Sequence, residues 1–197
     1  MVQAPKTRRA VSFIDGQNLF RHAKDAFGHH HPNYDPVKLT EAVCNANNWD
    51  CISVRFYTGV PESNRSAMWH GYWVRRLNAM RNAGVAVTSR PLRYSDNGKP
   101  REKGIDLRLG LDVVRMARKN EFDVAVIFSQ DQDLAEVALE VRDIAKSTGR
   151  WLKVASAFPC GPSATSGRGI DRTDWFPMDR NFYDSCLDQK DYRPPCR

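Results

Sequence analysis

Acidic residues stand at the ends of two apolar runs in this sequence. Asp15 closes the run at residues 11–14, and Asp131 and Asp133 follow the run at residues 124–128. Short runs rich in Val, Ile and Phe and bounded by polar residues predict buried β-strands. The carboxyl ends of parallel strands meet at one edge of a sheet, where ligands bind. Carboxylates gathered there repel one another unless a cation lies between them, and oxygen ligands suit Mg²⁺.

Two further aspartates fall on a predicted helix over residues 103–119. Asp106 lies near its start, and Asp112 lies on its apolar stripe, three residues after Leu109 and four before Met116. An aspartate on an apolar stripe is costly to bury unless it is paired or bound to a cation. We therefore expect Asp112 to have a partner and Asp106 to join the acidic group.

Each aspartate also has a purely structural interpretation when it is taken alone. Asp131 and Asp133 suit the first turn of a helix, where carboxylates accept hydrogen bonds from free N–H groups and complement the helix dipole. Asp15 can accept from a turn amide in the same way, with Asn18 as the cap of the next helix. None of these explanations requires the acidic side chains to meet, whereas a metal site does.

The elements that must position these residues alternate along the chain. Predicted strands cover residues 10–15, 51–58, 85–92, 123–128 and 151–157, and predicted helices cover residues 18–27, 36–45, 63–84, 103–119 and 131–147. Strands alternating with helices of this length predict an α/β fold with a mainly parallel sheet of about five strands, flanked by helices on both faces. If the first and fourth strands are neighbours, about 4.8 Å apart, Asp15 lies beside Asp131 and Asp133.

The last forty residues differ in composition from the rest. We predict one domain at residues 8–157 and a C-terminal extension at residues 158–197 that packs on or near it. The extension begins with a stretch rich in Gly, Ser and Pro at residues 159–168, which indicates a mobile loop at the same sheet edge as the aspartates. A short edge strand is predicted at residues 175–178, a short helix at 181–187 and a frayed end at 191–197.

The charge of the chain is unevenly distributed. Its net charge is +7, and the segment 75–119 holds twelve Lys and Arg residues against four Asp and Glu residues. Such a segment is typical of a surface that contacts phosphates, although a solvated face also explains it. No apolar stretch approaches the roughly 20 residues of a membrane helix. Five cysteines without a Cys-x-x-Cys pair indicate free thiols in a reduced, cytoplasmic setting.

Three motifs resemble those of one known family. A hydrophobic-Asp-x-x-Asn pattern contains Asp15 and Asn18, a Lys-Gly-x-Asp pattern runs from Lys103 to Asp106, and a Ser-x-Asp-x-Asp pattern covers residues 129–133. In this order they resemble the motifs of NYN domains, which are relatives of the PIN-like nucleases. The resemblance extends from about residue 10 to residue 157 and does not include the extension.

The resemblance implies a three-layer, Rossmann-like PIN/NYN fold and a metal-dependent endoribonuclease that hydrolyses RNA phosphodiester bonds. The catalytic residues and ligands of Mg²⁺ or Mn²⁺ that it implies are Asp15, Asp106, Asp131 and Asp133. It also implies Asn18 as a substrate contact and places Lys103 within reach of a phosphate near the metal. From the basic segment we add Arg93 and Arg101 as candidates for contacts with the backbone of a single-stranded RNA.

Two residues depart from the family pattern. Gln130 stands where the family usually has glycine, and Leu134 where it usually has phenylalanine. If that glycine needs a positive φ, Gln130 is strained. A catalytically weak or inactive RNA- or nucleotide-binding regulatory module is therefore an alternative function. A Rossmann-like oxidoreductase is a third, but residues 15–18 lack the Gly-x-Gly-x-x-Gly turn that cradles a dinucleotide.

Two other clusters have ordinary explanations. The triplet His29, His30 and His31 has no companion cluster with metal-ligand spacing, so we interpret it as a polar loop. Aromatic residues recur at helical spacing between residues 69 and 80, where a core stripe or a subunit contact explains them better than base stacking. A homodimer is for that reason among the expectations.

Overall fold

A six-stranded parallel sheet forms the centre of the molecule in this computed structural model, which describes residues 2–31, 34–95 and 97–193. In chain order the strands are β1 (Arg9–Asp15), β2 (Asp50–Val60), β3 (Ala86–Pro91), β4 (Arg93–Tyr94), β5 (Pro100–Arg101), β6 (Val124–Phe128), β7 (Lys153–Pro159) and β8 (Asp174–Met178). The order across the sheet is β3-β2-β1-β6-β7-β8. The short strands β4 and β5 pair with each other as an antiparallel hairpin outside this sheet.

Helices cover both faces of the sheet. They are α1 (Gly16–Phe27), α2 (Pro36–Ala46), α3 (Ala67–Asn82), α4 (Ile105–Arg118), α5 (Ala135–Thr148) and α6 (Arg180–Asp184), and a 3-10 turn at Gln132–Leu134 precedes α5. One apolar core includes Leu19 of α1, Leu39 of α2 and Leu77 of α3. The other includes Leu109 of α4 and Val141 of α5. The expected three-layer α/β fold is confirmed, with six strands in the sheet rather than five.

The two central strands show how the sheet joins these cores. All five residues of β6 and six consecutive residues of β1 are buried. Successive side chains of a strand point to opposite faces, so Phe13 belongs to one core and Ile14 to the other. The strands are direct neighbours, as the metal-site hypothesis required, with Ile14 opposite Phe128. Both therefore end at the same level, and the residues after β6 lie beside Asp15.

Some predicted boundaries were wrong for local reasons. The helix predicted from residue 63 begins at Ala67, because Arg65 and Ser66 both donate backbone N–H groups to the Glu62 carbonyl in a preceding turn. Between the predicted strand at residues 85–92 and the predicted helix at residues 103–119, the structure has the β4–β5 hairpin, with Tyr94 opposite Pro100. Asp96, at its tip, lies outside the described residues.

The C-terminal extension contributes the edge strand of the sheet. β8 pairs in parallel with β7, where the sequence predicted a short edge strand. Of the end predicted to fray, residues 194–197 lie outside the described residues. Tyr192 packs edge-on against Tyr72 of α3, with ring centroids 6.1 Å apart. Within the ranges that the structure describes, no helix is long and apolar enough to cross a membrane.

Candidate metal centre

Asp15 occupies the carboxyl end of β1 and the N-cap of α1. Its carboxylate accepts the backbone N–H of Asn18 at 3.0 Å, and its side chain is almost fully buried. The helix can begin this close to β2 because the next residue is Gly16: a Cβ there would lie 2.5 Å from the ring of Phe56. The sequence thus places a carboxylate in the interior with a single backbone N–H as hydrogen-bond donor among the described contacts.

The environment of Asp15 disfavours its charge. Burial raises the pKa of this carboxyl to about 7, against the opposing hydrogen bond from Asn18. The negative charges of Glu102, Asp106 and Asp131 raise the pKa further. Desolvation and like charge both penalise an ionised carboxylate, and a bound cation relieves both.

Glu102 is the functional candidate that sequence reasoning missed. It lies between β5 and α4, and its carboxylate accepts the backbone N–H of Gly59 at the end of β2. Burial raises its pKa to about 7, with a further contribution from the charge of Asp106. The sequence holds one signal that points to it: a carboxylate immediately before Lys103, within a strongly basic stretch.

Asp106 completes a compact group in the first turn of α4. Each of Asp15, Glu102 and Asp106 offers a carboxylate oxygen, and these oxygens all lie within 4.8 Å of one another. We call these three residues the acidic trio. The pKa of Asp106 is raised by burial and by the charge of Asp131. The structure therefore brings together two of the predicted aspartates, from β1 and α4, and a glutamate from the loop between β5 and α4.

The other two predicted aspartates stand beside the trio. Asp131 caps the 3-10 turn after β6, and its carboxylate accepts the backbone N–H of Asp133 at 3.1 Å. The charge of Asp131 raises the pKa of both Asp15 and Asp106, and that of Asp133 raises the pKa of Asp106. Among the described residues, neither belongs to the group within 4.8 Å. Both thus add negative potential from the β6 side.

The donor set of the trio fits a hard divalent cation. All of its side-chain donors are carboxylate oxygens, which Mg²⁺ and Mn²⁺ prefer to nitrogen or sulfur. Burial and like charge, which raise the pKa of Asp15 and Glu102, make the ionised carboxylates unfavourable without compensating positive charge. The residues present therefore suit a metal ion at the sheet edge.

Asn18, predicted as a substrate contact, joins the two turns that carry the aspartates. Its side-chain oxygen accepts the backbone N–H of Gln130 at 2.9 Å, while its own N–H binds Asp15. The strain considered for Gln130 is not present: the described non-glycine residues with positive φ are Asn48, Asn120 and Arg172. Gln130 thus stands in this turn without a backbone penalty.

The three predicted phosphate contacts lie on the β4–β5 hairpin and next to Glu102 in sequence. Lys103 is exposed and adjoins Glu102 in sequence, and Arg93 faces Arg101 across the β4–β5 hairpin. Arg21 of α1 was not predicted, yet its charge lowers the pKa of both Glu102 and Asp106. The charge of Arg21 thus partly offsets the negative charge of these two carboxylates.

Asp112 is buried on α4, and its partners are protein side chains. Arg55, Arg108 and Arg115 approach its carboxylate at 3.6, 3.3 and 2.8 Å, and the Tyr57 hydroxyl donates to it at 2.9 Å. The expectation that this aspartate needs a partner is confirmed. Because its charge is compensated within the protein, it has no need of a metal ion.

The other clusters have structural roles in the described part of the chain. His29 pairs with Asp184 at 2.9 Å, and no histidine of the described residues joins a group with metal-ligand geometry. On α3, Tyr72, Arg76 and Met80 are buried, so the aromatic stripe is largely core. Neither feature adds to the acidic site.

Comparisons with known proteins agree with this fold. The family model described as "NYN domain" matches residues 9–159, which span β1 to the end of β7. A crystal structure of a protein of unknown function from Vibrio parahaemolyticus is 18% identical, covering 91% of this chain and 98% of that chain with a TM-score of 0.61. At that identity the similarity concerns the fold alone. No curated protein matches the chain.

Proposed function

Since the chain belongs to the NYN domain family, we propose that it is a metal-dependent endoribonuclease that cuts single-stranded RNA with Mg²⁺ or Mn²⁺ in the acidic trio. The observation that supports this most is the convergence of three carboxylate oxygens, from Asp15, Glu102 and Asp106, within 4.8 Å. The NYN family has a nuclease-type fold, and the basic segment at residues 75–119 contains Glu102 and Asp106. Together they favour a phosphodiester substrate.

The trio would hold the cation through its carboxylate oxygens. A bound divalent ion supplies a reactive water at neutral pH and stabilises negative charge on a phosphate. Asp15 is fixed by the N-cap bond from Asn18, and Glu102 by the N–H of Gly59. These backbone contacts leave each carboxylate with further lone pairs for a ligand. Preformed ligands of this kind keep the cost of ordering the site low.

Asp131 and Asp133 would act on the attacking water rather than as the main ligands. Asp133 is exposed, and its charge reaches Asp106. A carboxylate in this position accepts a hydrogen bond from water and orients it toward the phosphorus atom. Asp131 already accepts the N–H of Asp133, which fixes its side chain at the start of the 3-10 turn.

Lys103, Arg93 and Arg101 would contact phosphate groups of the RNA backbone. Such contacts position a strand without reading its sequence. Their attraction also offsets the repulsion between the RNA and the acidic site before a cation binds.

The start of α1 argues against a dinucleotide-binding oxidoreductase. In that class the first helix begins with free N–H groups that bind a pyrophosphate. Here the carboxylate of Asp15 already accepts the N–H of Asn18, and its charge would repel a pyrophosphate. The alternative, a module that binds RNA without cutting it, is distinguished from the endoribonuclease by the cleavage experiment below.

The test is cleavage of a labelled single-stranded RNA by the purified protein with Mg²⁺ or Mn²⁺. We expect EDTA, Asp15→Asn and Asp106→Asn each to lower the rate on the order of 10³-fold or more. Asp143→Asn is the matched control, since Asp143 is an exposed aspartate of α5 paired with Lys146. Cleavage that persists in Asp15→Asn contradicts the proposal, and RNA binding without cleavage by the wild type indicates a binding module instead.

A further inference from the structure

The connection between β7 and β8 passes along the same sheet edge as the acidic trio. We call residues 161–172 the extension loop. Its composition predicted mobility, yet the side-chain amide of Gln130 donates to the carbonyls of Ser166 and Arg168 at 3.0 and 2.6 Å. Gln130 is only 6% exposed, so the donor side of both hydrogen bonds is largely shielded from water. The middle of the loop is therefore fastened to the turn that follows β6.

A second glutamine holds the next part of the extension loop. Gln132 donates its side-chain amide to the carbonyl of Gly169 at 3.0 Å and accepts the N–H of Asp171 at 3.1 Å. Ile170, between them, is fully buried. Gln130 and Gln132 flank Asp131 in sequence. The loop is thus tied on both sides of a residue of the candidate site.

These ties connect the extension loop to the trio through a short chain of hydrogen bonds. Gln130 holds the Arg168 carbonyl, the backbone N–H of Gln130 binds Asn18, and the N–H of Asn18 binds Asp15. The Gln130 amide has one orientation in this setting, because a carbonyl oxygen turned toward Ser166 and Arg168 would face two acceptors. The fold therefore sets the position of the Arg168 backbone relative to Asp15.

The side chain of Arg168, by contrast, is held loosely. Its guanidinium pairs with Asp171 at 2.7 Å, and both side chains are substantially exposed. An exposed ion pair of this kind contributes at most about 1 kcal/mol and is readily exchanged for another anion. A phosphate that reaches Arg168 can thus replace Asp171 as its partner.

The order of the strands places the loop that carries Arg168 on the opposite side of β1 from β2. The acidic trio lies at the end of β1, with Glu102 attached to Gly59 at the end of β2. The extension loop leaves β7 and is tied to the turn after β6, on the opposite side of β1. An RNA strand that crosses the site from Lys103 would next meet the loop.

We propose that Gln130 and Gln132 are positioning residues that hold Arg168 beside the acidic trio, where its guanidinium binds a backbone phosphate on the side of the RNA opposite the β4–β5 hairpin. This inference rests on the proposed function for its substrate class. Gln130 and Gln132 act through the loop and do not touch the RNA. Arg168 contributes to binding and not to the chemical step.

The first experiment measures binding of a fluorescent single-stranded RNA in EDTA, so that cleavage plays no part. Arg168→Ala should raise Kd several-fold and lower the slope of log Kd against log salt by about 0.7, the value for one lost phosphate contact on a single strand. Lys146→Ala is the control, because Lys146 is an exposed, ion-paired cation near the end of α5 and outside the basic segment. An unchanged Kd in Arg168→Ala overturns the inference.

The second experiment asks whether Gln130 acts through Arg168. Gln130→Met keeps the length of the side chain and removes both donors, so it should raise Kd in the wild-type background and have no further effect in Arg168→Ala. Gln189→Met, on the exposed segment after α6, is the matched control. A full additional loss in the double variant contradicts the positioning role.

Hydrogen exchange tests the ties without reference to RNA. Amides of residues 166–171 should exchange faster in Gln130→Met, and in Gln132→Glu, which loses the donor to Gly169 and keeps the acceptor for Asp171. Unchanged exchange in both variants overturns the inference whatever the RNA data show. If exchange and RNA binding respond as expected while no RNA is cut, the positioning role stands and the endoribonuclease proposal fails. If the protein cuts RNA and Arg168→Ala binds RNA as well as the wild type, the endoribonuclease proposal stands and the positioning role fails.

Discussion

Two buried aspartates of this chain have opposite surroundings. Asp112 on α4 is compensated by three arginines and a tyrosine hydroxyl. Asp15 at the end of β1 has one backbone N–H and the nearby carboxylates of the trio. The first arrangement is complete within the protein, whereas the second calls for positive charge from outside. Burial alone does not mark a functional carboxylate; burial without a protein counter-ion does.

The same chemical change should therefore have opposite effects at the two positions. In the metal-free protein at pH 8, Asp15→Asn should stabilise the fold by up to about 4 kcal/mol, because it removes a buried charge and retains an N-cap oxygen. Chemical denaturation in EDTA measures this difference. Destabilisation by Asp15→Asn at that pH would show that the carboxylate is already compensated.

The pH dependence of that difference follows from the pKa of Asp15. The ordinary pKa of an aspartate carboxyl is 3.8, and in the folded chain the pKa of Asp15 is about 7. Between these values the folded state retains a proton that the unfolded chain has released, so the stability of the wild type falls as pH rises. The advantage of Asp15→Asn should be absent below pH 4 and complete above pH 7.

At Asp112 the substitution should destabilise. Asp112→Asn keeps an acceptor for Tyr57 but leaves three arginines around a neutral side chain, and we expect a loss of about 3 kcal/mol. The denaturation midpoint measures it, with Asp143→Asn as an exposed control. Affinity for Mn²⁺ in the folded protein should be unchanged. A weaker metal site in Asp112→Asn would contradict the separation of the two regions.

A smaller change in free energy, this time of Mn²⁺ binding, is expected at Glu102. Glu102→Gln retains an acceptor for the N–H of Gly59 and removes one charged ligand, so affinity for Mn²⁺ should fall roughly tenfold, about 1.4 kcal/mol. Calorimetric titration of wild type and variant gives the ratio. Equal affinities would return Glu102 to a purely structural role and leave the aspartates as the ligands.

The sequence predicted the parts of the site whose position depends on where the apolar runs, and hence the strands, end. Asp15 follows one apolar run and Asp131 another, and parallel neighbours end at the same level, so their proximity follows from strand order. The alternation of strands and helices likewise predicted the layers of the fold. In each case a local pattern determines which way the side chain points.

Glu102 and the extension loop depended on contacts between distant segments. Glu102 reaches Gly59 because the chain after β3 returns across the end of β2, and no pattern near residue 102 encodes that return. The loop at residues 161–172 has the composition of a mobile segment, yet Gln130 and Gln132 bind its carbonyls. A Gly- and Ser-rich sequence describes the freedom of an isolated chain and not the hydrogen bonds available to it in the fold.

The most direct test of the account is the position of Mn²⁺ in crystals of this protein. We expect one strong anomalous peak with oxygens of Asp15, Glu102 and Asp106 as ligands, at the roughly 2.1 Å typical of small hard divalent ions. Asp15→Asn crystals soaked in the same way should lose the peak. Full occupancy at Asp131 and Asp133 alone, or no peak at saturating Mn²⁺, would contradict the claim that the trio is the metal site.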